Sequence, residues 1–165
     1  MKYSSARAFR QALEHHLRND YPHHRIPRLR KMIAFERLMA RLDEHWIPKG
    51  GYALQLRTDK ARTTHDIDLS AQHISLDQIA ETLLEAIHRD VGDYFEFFVE
   101  RTDQDFLVGS TIRFRVTARL AGRMFEQFHM DIDLDDPLVE PIEYRIPRRI
   151  WHLQKYRQHL FRAIL

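Results

Sequence analysis

Lys49-Gly50-Gly51-Tyr52-Ala53-Leu54-Gln55-Leu56-Arg57-Thr58-Asp59-Lys60-Ala61-Arg62-Thr63-Thr64-His65-Asp66-Ile67-Asp68-Leu69-Ser70 joins a glycine pair to an aspartate pair through one short apolar run. Gly50 and Gly51 carry no side chains, so the backbone there can take positive φ and admit an anion close to its N–H groups. A triphosphate suits such a turn. Tyr52 to Leu56 reads as a helix whose N-terminus adds partial positive charge on the same side. Beyond it, strand alternation puts His65, Ile67 and Leu69 on one face and Asp66 with Asp68 on the other.

Two carboxylates on one strand face repel. At roughly 4 Å and an effective dielectric of about 20 the cost is about 4 kcal/mol, which a divalent cation removes. Oxygen-only ligands favour Mg2+ or Mn2+, and Mg2+ takes one or two carboxylates with phosphate oxygens and water completing its shell. Either piece alone is an ordinary turn or a solvated strand face. Their order and spacing together point to a metal-assisted phosphate site.

Composition sets the frame. A chain of 165 residues, 44% apolar, fits one domain with a real core. The absence of cysteine removes disulfides, thiolate metal sites and cysteine nucleophiles. No apolar run is long enough to cross a bilayer, so a soluble cytoplasmic protein with no membrane partner is expected. The net charge of +2 hides segregation: residues 1–62 hold 14 basic against 6 acidic side chains, residues 63–143 hold 6 against 18, and residues 144–165 hold 6 against none. An acidic middle that collects cations, flanked by basic ends, fits a nucleic-acid partner, although exposed helices are also often rich in arginine.

Working outward, Phe9, Leu13 and Leu17 recur at helical spacing within residues 2–18. Pro27 opens a second helix to about Glu44, with Leu29, Ile33, Leu38 and Leu42 inward and Arg28, Lys31, Arg37 and Arg41 outside that stripe. The pairs His15-His16 and His23-His24 cannot each face one ligand on a helix and read as surface or boundary residues. Trp46-Ile47-Pro48 makes a short strand into the glycine pair. Ser75-Leu76-Asp77-Gln78 reads as a capping box before a packing helix through Ile79, Leu83 and Ile87. Tyr94 to Glu100 is an aromatic strand.

Ile112, Phe114 and Val116 alternate with Arg113, Arg115 and Thr117, and Ala121-Gly122-Arg123 turns the chain back. The return strand buries Phe128, Met130, Ile132 and Leu134 and presents His129, Asp131 and Asp133. Antiparallel pairing is expected to bring a third carboxylate beside Asp66 and Asp68. Gly109-Ser110 with Asp131 and Asp133 offers a competing phosphate loop, ranked lower because a strand, not a helix, follows it. Pro147 opens a final helix with Ile150, Leu153, Leu160 and Ile164 inward and Arg148, Arg149, Lys155, Arg157 and Arg162 outward. Trp151, Tyr156 and Phe161 interleave there, a composition able to stack bases or to pack a core. The whole reads as a single α+β domain: a basic helical part (1–46), a core (47–143) of mixed, mainly antiparallel sheet with helices packed on it, and a basic terminal helix (144–165).

At Lys49-Gly50-Gly51, Ala61 through Leu69 and Met130-Asp131-Ile132-Asp133 the sequence resembles the AbiEii/AbiGii-type nucleotidyltransferase toxins, of the DNA polymerase β-like nucleotidyltransferase superfamily. The similarity covers roughly residues 28–141. It implies a nucleotidyltransferase-like core, two Mg2+ ions, a nucleoside triphosphate substrate, and toxicity controlled by a cognate antitoxin; some relatives act on the 3′ end of tRNA. By resemblance, Gly50 and Gly51 are the phosphate-binding pair, Asp66 and Asp68 the metal-binding pair, and Asp131 the third catalytic carboxylate, with Asp133 an alternative for its place. Lys49 and Arg62 would contact the triphosphate. Relatives continue into a helical region carrying a further lysine and acidic residues, so a version shortened at the C-terminus is expected. The implied activity is transfer of a nucleoside monophosphate to an acceptor hydroxyl, RNA or tRNA. The alternatives are a non-catalytic nucleotide- or RNA-binding remnant and an enzyme acting on a small molecule such as an antibiotic.

Overall fold

The structure, a computed structural model, describes residues 3–57, 64–102 and 111–134 together with the backbone of 143–145 and 161–163. Its centre is a five-stranded sheet in the order β1 (Trp46–Lys49), β2 (Ile67–Ala71), β5 (Arg123–Leu134), β4 (Thr111–Leu120), β3 (Phe95–Arg101). The β2–β5 pairing is parallel and the other three pairings are antiparallel. The expected mixed, mainly antiparallel sheet is therefore present. Pro48 lies on the edge strand β1, where a missing N–H is tolerated.

Helices cover one face. α1 (Ala6–Asp20), capped by the Ser5 hydroxyl accepting from the Ala8 N–H at 3.2 Å, buries Phe9, Leu13 and Leu17. α2 (Ile26–Met39) sets Phe35 edge-on to Phe128 of β5, ring centres 4.7 Å apart, and to Tyr52 of α3 (Gly50–Arg57) at 5.3 Å. α4 (Ile79–Ile87) adds Ile79, Leu83 and Ile87 to the same core. Each large side chain taken fully out of water contributes about 1.5–3 kcal/mol before entropy is counted. The other face of β2, β4 and β5 is left to polar side chains, and the candidate site stands there.

Four expectations change. α2 stops at Met39, not near Glu44, because Arg41 turns inward: it donates to the Arg37 carbonyl at 2.7 Å and forms a fork with Asp93, and the acidic Asp43-Glu44 would face the negative helix end. Arg41 is thus buried, 3% exposed, and does not project outward. α4 begins at Ile79 without a capping box: the Ser75 hydroxyl donates to Gln78 Oε1, and the Gln78 N–H goes to the Ser75 carbonyl. The terminal helix fails at 161–163, where β7 (Phe161–Ala163) pairs antiparallel with β6 (Glu143–Arg145). Strand pairing there answers to a partner almost twenty residues away, which local helical spacing cannot reveal. The remainder of that stretch, Trp151 and Tyr156 included, lies outside the described residues, as do Arg62 and Gly109-Ser110.

Basic side chains of the N-terminal part also do structural work. β4 and β5 meet at a two-residue turn with Ala121 (φ 54°) and Gly122 (φ 69°) both in the left-handed region, the primed geometry that matches strand twist. Arg10 binds the carbonyls of Leu120, Arg123 and Met124 around that turn. Arg30 donates to the Phe125 carbonyl and lies 4.4 Å from its ring centre.

Candidate active site

Strand register builds the site. Reading across the open face, Lys49 on β1 stands opposite Asp68 on β2, Asp68 beside Asp131 on β5, and Asp131 opposite Arg113 on β4. One step along, Ser70, Asp133 and Thr111 form the next row. Just before β2, Asp66 approaches His129, Oδ1 to Nδ1 3.8 Å. Asp131 thus reaches Asp68 by parallel pairing of β5 with β2, whereas the antiparallel partner of β5 supplies the arginine. Neighbouring strands lie about 4.8 Å apart, so the two carboxylates are close.

The four aspartates differ in how they are held. Arg113 takes both oxygens of Asp131, Nε to Oδ1 at 2.7 Å and Nη2 to Oδ2 at 2.8 Å. Lys49 and the Thr111 hydroxyl both donate to Asp133, and these bonds keep its pKa below the usual carboxylate value although burial pushes the other way. Asp68 moves in the opposite direction. Burial raises its pKa, Asp131 raises it further, Lys49 only partly offsets this, and Asp66 and Asp133 add to the rise. Among the described residues, the three other carboxylates around this half-buried group outweigh the one cation, Lys49, that lowers its pKa.

The glycine pair has a specific cause. Gly50 takes φ +59°, and a Cβ there would run into the Asp68 carboxylate, its Cγ only 3.1 Å away. A Cβ on Gly51 would meet Thr64 Oγ1 at 2.9 Å, and that hydroxyl already donates to the Asp66 carbonyl. Both glycines therefore bring the start of α3 against the segment that carries Asp66 and Asp68. Lys49, expected at a triphosphate, is bonded to Asp133.

Arg113, Thr111 and His129 join the site without having been singled out. The placement of Arg113 and Thr111 depends on a β-bulge between Ala118 and Arg119, where pairing shifts from Arg119↔Met124 to Ala118↔Glu126, whereas His129 reaches Asp66 through the β2–β5 pairing. Without that extra residue Arg113 would face Met130. The sequence carries a trace of it: Phe125 stands three residues before Phe128, out of step with the alternation that follows, and the structure buries both.

Among the described residues no three His, Asp or Glu side chains form a group able to hold a metal ion by themselves. The donor chemistry nevertheless fits a hard cation such as Mg2+, which needs no more than two carboxylates, and the crowding at Asp68 is what such an ion relieves.

The family of nucleotidyl transferase AbiEii toxins, a type IV toxin–antitoxin system, matches residues 33–160, most of the chain. The chain belongs to the AbiEii family. The match takes in β1, α3, β2 and β5, and it runs beyond residue 141, where the resemblance read from the motifs ended. Two solved structures from Helicobacter pylori are similar: JHP933, 16% identical over 87% of this chain and 53% of that one at a TM-score of 0.48, and a chain assigned provisionally to the nucleotidyltransferases, 15% identical over 88% and 55% at 0.46. This AbiEii-family chain spans about half the length of those structures. No curated protein matches. Among the described residues no helix is long and apolar enough to cross a membrane.

Proposed function

We propose that this protein is a metal-dependent nucleotidyltransferase, moving a nucleoside monophosphate from a nucleoside triphosphate to an acceptor hydroxyl. The observation that carries this reading is the in-register pair Asp68 and Asp131 beside the glycine start of α3. Asp68 and Asp131, in register, would hold Mg2+ or Mn2+ together with triphosphate oxygens and water, with Asp66 the further ligand the family resemblance implies; the ion when bound supplies charge neutralisation and activates the attacking oxygen. The N–H groups from Gly50 and Gly51, with Lys49 and Arg62, receive the triphosphate. The hydroxyl oxygen bonds to the α-phosphorus, the bridging α–β P–O bond breaks, pyrophosphate leaves, and the proton passes to a carboxylate of the row. Positioning and electrostatics are the main work such a transfer asks of the protein.

The acceptor we assign is RNA, at a tRNA 3′ end, and the physiological role is that of a toxin restrained by a cognate antitoxin. Family membership supports the toxin role, and the basic surplus of residues 1–62 supports a nucleic-acid acceptor. A second reading, nucleotide or RNA binding without turnover, is favoured by one observation: Asp131 and Asp133 are each already held by a cation of the chain. Incubation with Mg2+, each labelled triphosphate in turn and total RNA, beside Asp66→Ala and Asp68→Ala, separates them. Label in RNA that disappears in both variants supports transfer. Label that persists in them overturns the metal role, and a triphosphate bound but never consumed selects the second reading.

A further inference from the structure

We infer that Arg113 is a positioning residue for the third carboxylate, an inference that rests on Asp131 serving as a metal ligand in the proposed reaction. Its two N–H groups donate in parallel to the two oxygens of Asp131 at 2.7 and 2.8 Å. Such a fork fixes the plane of a carboxylate as well as its place, which a single ammonium cannot do. Each oxygen keeps a second lone pair for a cation.

Three further observations support this role. The pair is partly buried, the side chains 29% and 16% exposed, so solvent competes weakly for the fork. Asp131 stands in register beside Asp68, and among the described residues Asp68 carries no such fork. The bulge at Ala118/Arg119 is what sets Arg113 opposite Asp131 instead of Met130. Partners that orient a metal ligand typically change metal affinity by about 10–100-fold when replaced. Arg113 therefore acts through Asp131, fixing the plane of its carboxylate on the strand beside Asp68.

The test is a titration of the full chain with Mn2+ alone, followed by electron paramagnetic resonance, with no nucleotide present. Arg113→Lys keeps the charge and loses the fork, and it is expected to weaken Mn2+ binding by about tenfold. Asp131→Asn shows whether Asp131 is a ligand at all. If Asp131→Asn binds as wild type does, the metal reading of the site fails. If Asp131→Asn loses binding while Arg113→Lys keeps it unchanged or tightens it, the positioning role alone is overturned. Should Arg113→Lys not fold, Arg113→Gln is compared with Arg115→Gln, which removes the same charge one step along β4. Weaker binding in Arg113→Gln than in Arg115→Gln supports the role, and equal or tighter binding overturns it.

Discussion

Asp93 and Asp68 are two carboxylates of one molecule treated in opposite ways. Asp93, just before β3, is fully buried, and every demand is met: Arg41 bonds both oxygens at 2.6 and 3.0 Å, the Phe95 N–H adds a third bond at 3.1 Å, and Arg37 lies 3.9 Å away. Arg41 in turn donates to the Phe95 carbonyl and lies over the Phe97 ring. Asp68 is half-buried among three other carboxylates, and burial and repulsion raise its pKa. The first charge is spent on the fold, tying the end of α2 to β3. The second, among the described residues, has no such fork, and it stands where a cation is proposed to bind.

The comparison breaks first at Arg41. Arg41→Met leaves Asp93 buried and uncompensated, so unfolding free energy should fall by about 3–5 kcal/mol. Chemical denaturation measures it, and a loss below about 1 kcal/mol would show that Asp93 finds other solvation. Adding Asp93→Leu should restore much of the loss, since an apolar pair need not be hydrated. Asp68→Asn is expected to do the reverse. Nucleotidyl transfer should drop about 100-fold or more, near 2.7 kcal/mol of barrier, while the unfolding midpoint holds or rises because repulsion has been removed. A midpoint that falls with activity intact would make Asp68 a structural charge like Asp93.

Arg41 also shows where the sequence stops being readable. Set between Ala40 and Leu42 and followed by Asp43-Glu44, it carries no local mark of a buried arginine, because its partner is fifty-two positions away. Local order was legible: the spacing of Phe9, Leu13 and Leu17 gave α1, and alternation from Ile112 gave β4. The glycine and aspartate pairs were legible as chemistry. Their physical link was not, since only the fold presses the Asp68 carboxylate on Gly50. Nor was the parallel β2–β5 pairing, which depends on a crossover through α4, β3 and β4 and has no local signature.

That link supplies a third and smaller effect. Gly50→Ala combines a left-handed φ, about 1–2 kcal/mol for an L-residue, with a collision that the flexible Asp68 side chain can escape by moving. A loss of about 2 kcal/mol is expected, together with reduced transfer as Asp68 is displaced. Gly92→Ala is the control: its φ is +71° with nothing within 4 Å of the added carbon, so only about 1 kcal/mol should be lost, with activity unchanged. Equal stability losses and equal activity in the two variants would separate Gly50 from the site.

The smallest effect tests what burial adds to an ion pair. Asp43 meets Arg89 at 2.7 Å, but the two side chains are 25% and 49% exposed. Burial pushes the Asp43 pKa up, and the Arg89 hydrogen bond with the His45 N–H outweighs it, leaving the value lowered. A lowered carboxylate pKa means that the fold favours the ionised form, so the contribution is present above the unfolded-state value of about 3.9 and is lost as pH falls through the folded one. Asp43→Asn should therefore cost less than about 1 kcal/mol at pH 7, and the gap from wild type should close on acidification below the ordinary carboxylate range. One molar salt should shrink the same gap, since exposed charges are screened over about 3 Å at that strength, and should leave the penalty of Arg41→Met nearly intact. If salt reduces both penalties equally, solvent reaches Asp93 as freely as Asp43, and the contrast between a charge spent on the fold and one held at the surface disappears.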